Sequence, residues 1–312
     1  MPNNNRKYEA GLVSVIIPTY KRSTMLMRAI DSVLYQTYNR LEIIVVNDNS
    51  PDDVYSQELH KIMNQIHDRR VLFIEQEKHI NGAVARNFGI MHATGEYIAF
   101  LDDDDWWEKE KLELQVEILR ELDEEWGAVS CLKKYYSKKG LYRASRPYKD
   151  GYVFERVLTF LTNITTGTIL MRHTALDSTG YFDVSLKRQQ DIQLFAFFSK
   201  KYKVKLCKRH LHNIDVSDEQ NRPDLSTIDD IKEAYLQSVS SLIPNNRVRK
   251  NLRTCIMFSK GIMMLQNRKL KGLALVFSTI KNPKVFLEEI GYYLNGILEV
   301  IFCKMIVGKY NK

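Results

Sequence analysis

The chain has 312 residues, of which 44% are hydrophobic and 11% aromatic, and it contains 14 glycines and 7 prolines. This composition excludes collagen-like and disordered proteins, and the length fits one α/β domain with an extension, because single cores stop growing at roughly 250 to 300 residues. Lys and Arg number 46 against 38 Asp and Glu, for a net charge of +8.

Two strand-like runs with a helical pattern between them open the chain. Residues 13–17 and 41–46 are rich in β-branched side chains. The apolar side chains between them recur at helical spacing, at Leu26, Ala29, Ile30, Val33 and Leu34. We expect Ser23 or Thr24 to cap this helix. A strand, a helix and a strand in this order predict a right-handed parallel unit.

A second set of elements repeats this order. It consists of residues 71–74, a helical segment through 84–88, and residues 97–101. Strands that are apolar almost throughout indicate a sheet covered on both faces. Ligands bind such sheets at the carboxyl ends of the strands, which is where Pro18 to Tyr20, Asp48 and Asp102 to Asp105 fall.

Four consecutive aspartates, Asp102 to Asp105, follow the last of these strands. One or two of them could serve as caps of the helix expected from Glu108 onward. Four clustered carboxylates repel one another, so they favour a hard cation, Mg²⁺ or Mn²⁺, shared with a phosphate. The chain has no GxGxxG after its first strand and no GxxxxGK[ST]. The dinucleotide oxidoreductase and P-loop interpretations therefore lose their main support.

Six segments in this order resemble family 2 glycosyltransferases: VSVIIPTYKR, LEIIVVNDNSPDD, NGAVARNFGI, EYIAFLDDDDWW, TGTILMRHTALDSTGYFD and RQQDIQLF. The resemblance spans about residues 12–220. It implies the α/β GT-A fold, a Rossmann-like, mostly parallel mixed sheet flanked by helices, here with a C-terminal helical extension. It also implies a nucleotide-sugar donor, a divalent metal, and inversion at the anomeric carbon.

The resemblance assigns donor-binding roles to residues near the strand ends. Pro18, Tyr20 and Arg22 would line the nucleotide pocket, and Asp48 would accept a hydrogen bond from the base, most often uracil. Arg86 would reach the diphosphate, as guanidinium groups suit bidentate contacts. The alternatives are an Asx turn for Asp48 and a surface salt bridge for Arg86.

The aspartate run contains the DXD motif of the family, with Asp102 and Asp104 at its two ends. Asp102 and Asp103 are assigned to the donor and Asp104 to the metal, although a shift of one place along the run is left open. The metal would stabilise the negative charge that develops on the departing nucleoside diphosphate.

Asp191 matches the aspartate that serves as catalytic base in the family, and it would take the proton from the acceptor hydroxyl. Helix capping is the competing explanation for this residue. Gln190 stands where the family usually has Glu, which puts acceptor binding in doubt. His212 lies where some members carry a metal-ligating His on a mobile loop, and it is the second candidate metal ligand. A structural role is its alternative.

The remaining segments of the body carry weaker signals. Residues 169–171 are predicted to form a strand, and Thr165 to Thr168 before it would either border the acceptor or solvate an edge strand. One of Trp106 and Trp107 is expected to pack under the next helix, and the other to stack on a sugar. Residues 215–226 are predicted to form a loop that closes over the donor.

The charge is uneven along the chain. Residues 236–312 contain 13 basic and three acidic side chains, so they carry +10 and residues 1–235 carry −2. We therefore divide the chain into a nucleotide-sugar-binding catalytic domain, 1–235, and a basic helical C-terminal region, 236–312.

Helical periodicity is expected over residues 228–265. Beyond Pro283 an apolar stripe follows, formed by Phe286, Ile290, Tyr293, Leu294, Ile297 and Ile301. Two interpretations of the stripe stay open: packing on the body or on a second subunit of a homo-oligomer, and contact with an anionic membrane surface.

The sequence thus predicts an inverting, metal-dependent glycosyltransferase with a nucleotide-sugar donor, most often UDP-linked, and a cell-surface glycan or lipid-linked acceptor. The alternatives are a nucleotidyltransferase, a basic nucleic-acid-binding protein and an inactive scaffold. We expect no nucleic-acid partner, because Phe258 is the only aromatic residue between 244 and 271.

The cellular setting is predicted from the cysteines and the N-terminus. The four cysteines, at 131, 207, 255 and 303, are widely spaced and read as reduced thiols of a cytoplasmic protein. The polar N-terminus predicts no signal peptide, and no run of 18 uncharged apolar residues occurs. Peripheral contact at the inner face of the cell membrane stays open.

Overall fold

A computed structural model of the chain describes residues 7–162, 164–217, 225–291 and 294. The strands within these ranges form one mixed sheet: β1 (Glu9–Thr19), β2 (Leu41–Asn47), β3 (Val71–Glu75), β4 (Gly95–Phe100), β5 (Trp106–Trp107), β6 (Trp126–Ser137), β7 (Gly140–Ala144), β8 (Ile169–Arg172) and β9 (Lys203–Asp215). The helices are α1 (Ser23–Leu34), α2 (Val54–Met63), α3 (Gly82–His92), α4 (Lys111–Arg120), α5 (Phe154–Leu158), α6 (His173–Thr179), α7 (Gln190–Lys201), α8 (Ile228–Ser238), α9 (Asn246–Gln266) and α10 (Lys271–Ser278). Residues 283–291 are also helical and are called the last helix below.

The strand order is β3-β2-β1-β4-β8-β6-β9-β5, with β7 paired to β6. β3, β2, β1 and β4 run parallel, β8 is antiparallel to both of its neighbours, and β9 is parallel to β6. The first predicted strand-helix-strand unit is therefore confirmed as a parallel pair, β1 and β2. The strands of the second unit, β3 and β4, run parallel, but β2 and β1 lie between them. The carboxyl ends of β1, β2 and β4 meet at one edge of the sheet.

Alternation along β1 divides the core between the two faces of the sheet. Val13, Val15 and Ile17 belong to the cluster that packs under α1, α2 and α4, while Ile16 belongs to the cluster under α3, α6 and α7. A Cβ at Gly89 would lie 2.5 Å from Cγ2 of Ile16, so this glycine lets α3 sit close against the strand. α1 and α3 pack against opposite faces of the sheet. This packing holds in place the turn between β1 and α1 and the turn before α3.

The second half of the sheet contains strands that the apolar pattern did not predict. β6 includes Lys133, which is only 4% exposed.

The prediction of buried reduced thiols is confirmed for Cys131, Cys207 and Cys255, which are free and buried, whereas Cys303 lies outside the described residues. Trp107 is buried beneath Lys111 at the start of α4, with the Nζ atom 3.9 Å from the ring centre, as expected for one of the two tryptophans.

The C-terminal helices share a core with the body. α8 runs across residue 235, and the cluster under α7 includes Tyr235, Val239, Leu242, Val248 and Leu252. α8 and α9 confirm the predicted helical periodicity of residues 228–265, while the domain boundary at 235 stays a prediction. No helix within the described residues combines the length and the apolar character needed to cross a bilayer.

Candidate active site

A cleft of about 730 Å³ lies at the carboxyl edge of β1, β2 and β4. Every predicted site residue except His212 lines it: Pro18, Tyr20, Arg22, Asp48, Arg86, Asp102, Asp103, Asp104 and Asp191. The residues come from segments that are up to 173 positions apart, and the sheet brings them together. The cleft is thus the candidate active site.

One end of the cleft combines an aromatic surface with a buried carboxylate. The Tyr20 ring stacks on His79 with centroids 3.8 Å apart, and His79 Nδ1 lies 3.0 Å from Oδ2 of Asp48. Asp48 is 2% exposed, and its Oδ1 has no hydrogen-bond partner among the described residues. Burial raises the pKa of Asp48 to about 6, and the nearby His79 only partly offsets this.

The four aspartates after β4 have separate partners. Arg86 donates to Asp102 at 2.5 Å, and Arg22 donates to Asp104. Asp105 accepts from His212 and from the backbone N–H of Asp215, at 2.9 and 3.1 Å. These contacts orient Asp102 and Asp104 toward the cleft, while Asp105 ties the run to β9.

Negative charge exceeds positive charge along this run. Burial together with the charges of neighbouring aspartates raises the pKa values of Asp103 and Asp104 to about 7, even though Arg22 lies beside both. Burial also raises the pKa of Asp105 well above its ordinary value. Burial alone would raise the pKa of Asp102, but the paired Arg86 outweighs it and the pKa is lowered. A further cation would relieve this repulsion.

The residues present fit a divalent cation. Oδ2 of Asp103 is buried without a hydrogen-bond partner in the described part of the chain, and carboxylate oxygens are the donors that Mg²⁺ and Mn²⁺ prefer. No group of three or more His, Cys, Asp or Glu side chains within the described residues is placed to hold a metal. A Mg²⁺ site does not require such a group, since one or two carboxylates can act together with substrate phosphates and water.

Asp191 lies in the first turn of α7, as predicted. Burial raises its pKa, and the backbone N–H of Ile192 and the Arg86 guanidinium partly offset the rise. Gln189, just before the helix, has a φ of 62°, a left-handed conformation that is uncommon for residues other than glycine. Such backbone conformations are frequent at functional sites.

Gln190 has a role that Glu could not fill in this arrangement. Its Nε2 donates to the carbonyl of Leu186 at 2.6 Å, and the side chain is buried. A carboxylate has no donor for that carbonyl. The Gln in place of the usual Glu therefore anchors the loop before α7.

His212 lies beneath the aspartate run instead of in the cleft. It is 1% exposed within β9, its Nε2 is bonded to Asp105, and burial lowers its pKa to about 3. A Cβ at Gly167 would lie 2.3 Å from the same Nε2, so the ring fits against this glycine. That His212 ligates a metal stays a prediction; its Nε2 is bonded to Asp105, while its Nδ1 has no hydrogen-bond partner among the described residues.

Several cleft residues were missed from the sequence. His79 stands in a polar segment after β3 and carried no motif. Lys187 and Arg188 line the cleft and are exposed on the loop before α7, where Arg188 begins the segment RQQDIQLF. Arg28 donates to the Asp104 carbonyl at 2.5 Å and lies 4.2 Å from the Trp106 ring, which is not buried. Residues 218–224 of the predicted closing loop lie outside the described residues.

The cleft also borders a smaller pocket of about 120 Å³, and Asp191 lines both. The other lining residues of the small pocket are mostly apolar: Val157, Phe160, Thr162, Ile164, Thr165, Ile192 and Phe195. Of the predicted acceptor threonines, Thr165 lines this pocket, Thr166 lines the main cleft and Thr168 is fully buried.

Known proteins resemble this chain in sequence. An uncharacterized glycosyltransferase of Rickettsia felis is 38% identical over 148 residues, which are 47% of this chain and 23% of the relative. WfaP of Escherichia coli, a UDP-Glc:alpha-D-GlcNAc-diphosphoundecaprenol beta-1,3-glucosyltransferase, is 38% identical over 108 residues, which are 35% of this chain and 41% of the relative. The matched part thus spans less than half the length of either relative.

The fold also has a known counterpart. The mannosyltransferase PcManGT from Pyrobaculum calidifontis, solved in complex with GDP-Man and Mn²⁺, superposes with a TM-score of 0.58 at 15% identity, over 95% of this chain and 89% of that chain. The predicted GT-A fold is confirmed. The family model described as Glycosyl transferase family 2 matches residues 14–180. Because this match covers more than half of the sequence, the chain belongs to glycosyltransferase family 2.

Proposed function

We propose that the protein transfers a sugar from a nucleotide-sugar donor to a hydroxyl group of a cell-envelope glycan or a lipid-linked acceptor, with inversion. The observation that carries this proposal is one cleft that holds an aromatic and carboxylate pair at one end, Tyr20 and Asp48, and a carboxylate at the start of α7, Asp191. The aspartate run lies along the same cleft. A nucleotide, its diphosphate and a reacting sugar need these three environments in one place.

The geometry around Asp48 favours a uracil base over guanine. A flat base would stack against the Tyr20 and His79 pair, and Asp48 would accept a hydrogen bond from it. His79 already engages Oδ2, which leaves one free oxygen. Uracil offers one N–H donor on its pairing edge, whereas guanine offers two adjacent donors that suit a bidentate carboxylate. WfaP is named for UDP-Glc, which supports the same choice, while PcManGT was solved with GDP-Man.

Asp103 and Asp104 would hold the divalent cation, Mn²⁺ or Mg²⁺, together with the donor phosphates. Bound there, the cation would neutralise charge on the departing nucleoside diphosphate. Arg22 lies against Asp104 and Arg86 against Asp102, and both present further positive charge to the diphosphate. Lys187 and Arg188 are placed to approach it from the loop before α7.

Asp191 would act as the general base. Its carboxylate takes the proton of the acceptor hydroxyl as that oxygen forms a bond to C1 of the sugar, while the bond from C1 to the diphosphate oxygen breaks on the opposite side. The raised pKa of Asp191 brings its basicity closer to that needed near neutral pH. The small pocket on the other side of Asp191 would receive part of the acceptor.

The experiment uses the purified chain with Mn²⁺ or Mg²⁺ and a panel of UDP-Glc, UDP-Gal, UDP-GlcNAc and GDP-Man, and measures the released nucleoside diphosphate. We expect cation-dependent release with one UDP-sugar. With an acceptor that supports transfer, Asp191→Asn should lower kcat by about 10² to 10⁴, the usual contribution of a general base, with little change in donor KM.

Asp230→Asn is the matched control, because Asp230 is exposed in the first turn of α8 and lies outside the cleft. Its activity should equal that of the unaltered chain. Absence of release with every donor, or unchanged transfer by Asp191→Asn, would contradict the proposed function.

A further inference from the structure

One face of α10 is apolar and exposed. The exposed fractions are 78% for Leu270, 43% for Leu273, 59% for Phe277 and 46% for Ile280. Their spacing of three and four residues places these side chains on one side of the helical segment. Of the 16 large apolar side chains that are exposed in the described part of the chain, seven lie between residues 257 and 294. The C-terminal region therefore carries the highest density of exposed large apolar side chains among the described residues.

The opposite face of α10 is the one that packs on the protein. Gly272 and Val276 are buried, and a Cβ at Gly272 would lie 2.4 Å from the carbonyl oxygen of Gly261 in α9. This close contact between two glycines fixes the rotation of α10. The face with Leu273 and Phe277 must then point away from α9.

The last helix is arranged in the same way. Phe286 packs edge-on against Phe258 of α9, with ring centroids 6.2 Å apart, while Leu287 and Leu294 are 67% and 54% exposed. Phe286 and Ile290, which began the predicted apolar stripe, are partly buried. Tyr293, Ile297 and Ile301 of that stripe lie outside the described residues.

We call the outward side chains the apolar ridge; they are Leu270, Leu273, Phe277, Ile280, Leu287 and Leu294. The ridge shares only Leu294 with the predicted stripe. The stripe was predicted from a single segment, and its first two members, Phe286 and Ile290, are partly buried by the packing on α9.

Basic side chains flank the apolar ridge, and acidic ones are few in this part of the sequence: Glu288, which is exposed beside Leu287, and the buried Glu289. Residues 234–287 contain ten Lys and Arg and no Asp or Glu. The exposed members next to the ridge form what we call the basic rim: Arg268, Lys269, Lys271, Lys281 and Lys284. By contrast, Lys260 is neutralised by Asp229 of α8, at 2.5 Å.

We propose that the apolar ridge and the basic rim bind the surface of an anionic lipid bilayer. Apolar side chains on one face of surface helices, with lysines and arginines beside them, are the combination that interfacial helices use. The aliphatic and aromatic side chains would enter the boundary between headgroups and acyl chains, and the rim would contact the anionic headgroups.

Two other partners fit the surface less well. A second copy joined by a twofold contact would bring two basic rims together, and Glu288 is the one exposed carboxylate that each copy offers between residues 234 and 291 to neutralise them. A nucleic acid would use the positive charge, but the apolar ridge offers Phe277 as its single aromatic side chain for base stacking.

The ridge helices pack on α9, and α9 shares a core cluster with α7, to which Val248 and Phe195 both belong. The Tyr235 hydroxyl of α8 donates to the carbonyl of Leu158 in α5, and Lys200 of α7 donates to the carbonyl of Leu242, at 3.2 and 3.0 Å. α7 begins next to Asp191. Lipid binding would thus fix the orientation of the candidate active site relative to the bilayer, which goes beyond the proposed sugar transfer and does not depend on it.

The test is cosedimentation of the full chain with vesicles. One set contains phosphatidylglycerol and phosphatidylcholine in equal parts, and the other contains phosphatidylcholine alone. We expect binding to the anionic vesicles that weakens with added salt. The double variant Leu273→Ser with Phe277→Ser should bind at least about tenfold less, because two side chains no longer enter the apolar layer. Lys269→Gln with Lys271→Gln should bind less and with a weaker salt dependence.

The control variant is Tyr35→Ser, since Tyr35 is 77% exposed on the body at the end of α1. It should bind vesicles as the unaltered chain does, and thermal unfolding checks that each variant folds. The proposal is overturned if the unaltered chain binds neither vesicle, or if the double variant binds equally well. It is also overturned if the unaltered chain is a dimer in analytical ultracentrifugation and the only effect of the double variant is to make it a monomer. Nucleoside diphosphate release without vesicles should be unchanged in the double variant. A loss of that release would be an effect on sugar transfer and not a result about lipid binding.

Discussion

Replacing Asp48 by Asn should stabilise the fold while weakening donor binding. Burial raises the pKa of Asp48 from 3.8 to about 6. A carboxyl group with a higher pKa in the folded chain binds protons more tightly when folded, so its ionisation destabilises the fold as pH rises from about 4 through 6. At 1.36 kcal/mol for each pKa unit, the cost above pH 6 is about 3 kcal/mol.

Asn keeps the shape of Asp48 and cannot ionise. The Asn amide must form its own hydrogen bonds beside His79, which reduces the gain in stability. We therefore expect Asp48→Asn to raise the free energy of unfolding by about 1 to 3 kcal/mol near pH 7. The gain should disappear below about pH 4, where Asp48 is protonated in both states. Donor KM should rise by about tenfold or more with the loss of a charged hydrogen bond.

The measurement is urea unfolding of both chains over a pH series, with donor kinetics at the upper end. Asp52→Asn is the matched control, because Asp52 is exposed in the same turn. Its unfolding free energy should follow that of the unaltered chain at each pH. A gain in Asp48→Asn that is constant with pH, or a loss near pH 7, would refute the reasoning.

Three further outcomes are expected. Gly89→Ala should lower the unfolding free energy by about 1 to 3 kcal/mol in thermal or urea unfolding, because its Cβ would lie 2.5 Å from Ile16; a more stable variant would contradict the close packing. Gly167→Ala should cost a similar amount, and less in a His212→Ala background; simple addition of the two losses would rule out the ring contact. Chelation with EDTA should lower nucleoside diphosphate release by at least about 10²-fold, with recovery on adding Mn²⁺ or Mg²⁺; unaffected release would exclude the cation.

The parallel half of the sheet was predictable because its strands are buried on both faces. Residues 13–17 and 41–46 are β-branched almost throughout, so their strand character is visible without tertiary contacts. The helix boundaries were less visible. α1 begins at Ser23 and Arg22 holds its N-cap position, so the expectation that Ser23 or Thr24 caps this helix is wrong. α4 begins at Lys111 after a short strand at Trp106 and Trp107, instead of near Glu108.

The mixed half of the sheet was largely missed for a different reason, although the strand expected at residues 169–171 is confirmed as β8. β6 and β9 carry lysines within otherwise buried strands, such as Lys133, and this breaks the apolar pattern on which strand prediction depends. His212 matches a position where some family members carry a metal-ligating His on a mobile loop, but here its strand pairs with β5 at Trp107, and the ring is buried. Such pairing joins residues more than 100 positions apart, which a local pattern does not encode.

The site was predictable where motif residues follow strands directly, as with Asp48 and Asp102. His79 was not, since its importance comes from stacking on Tyr20, which lies 59 positions earlier in the chain. Gln190 likewise depends on a backbone carbonyl that only the folded loop presents to it.

The shared core of α7 and α8 has a practical consequence for cutting the chain. A truncation at residue 235 would strip Val239, Leu242, Val248 and Leu252 from the cluster to which Phe195 and Phe198 belong. A truncation one residue earlier would also remove Tyr235, whose hydroxyl donates to the carbonyl of Leu158. Residues 1–235 are therefore not expected to fold as a free-standing unit, and a chimaera should keep α8 and α9 with them.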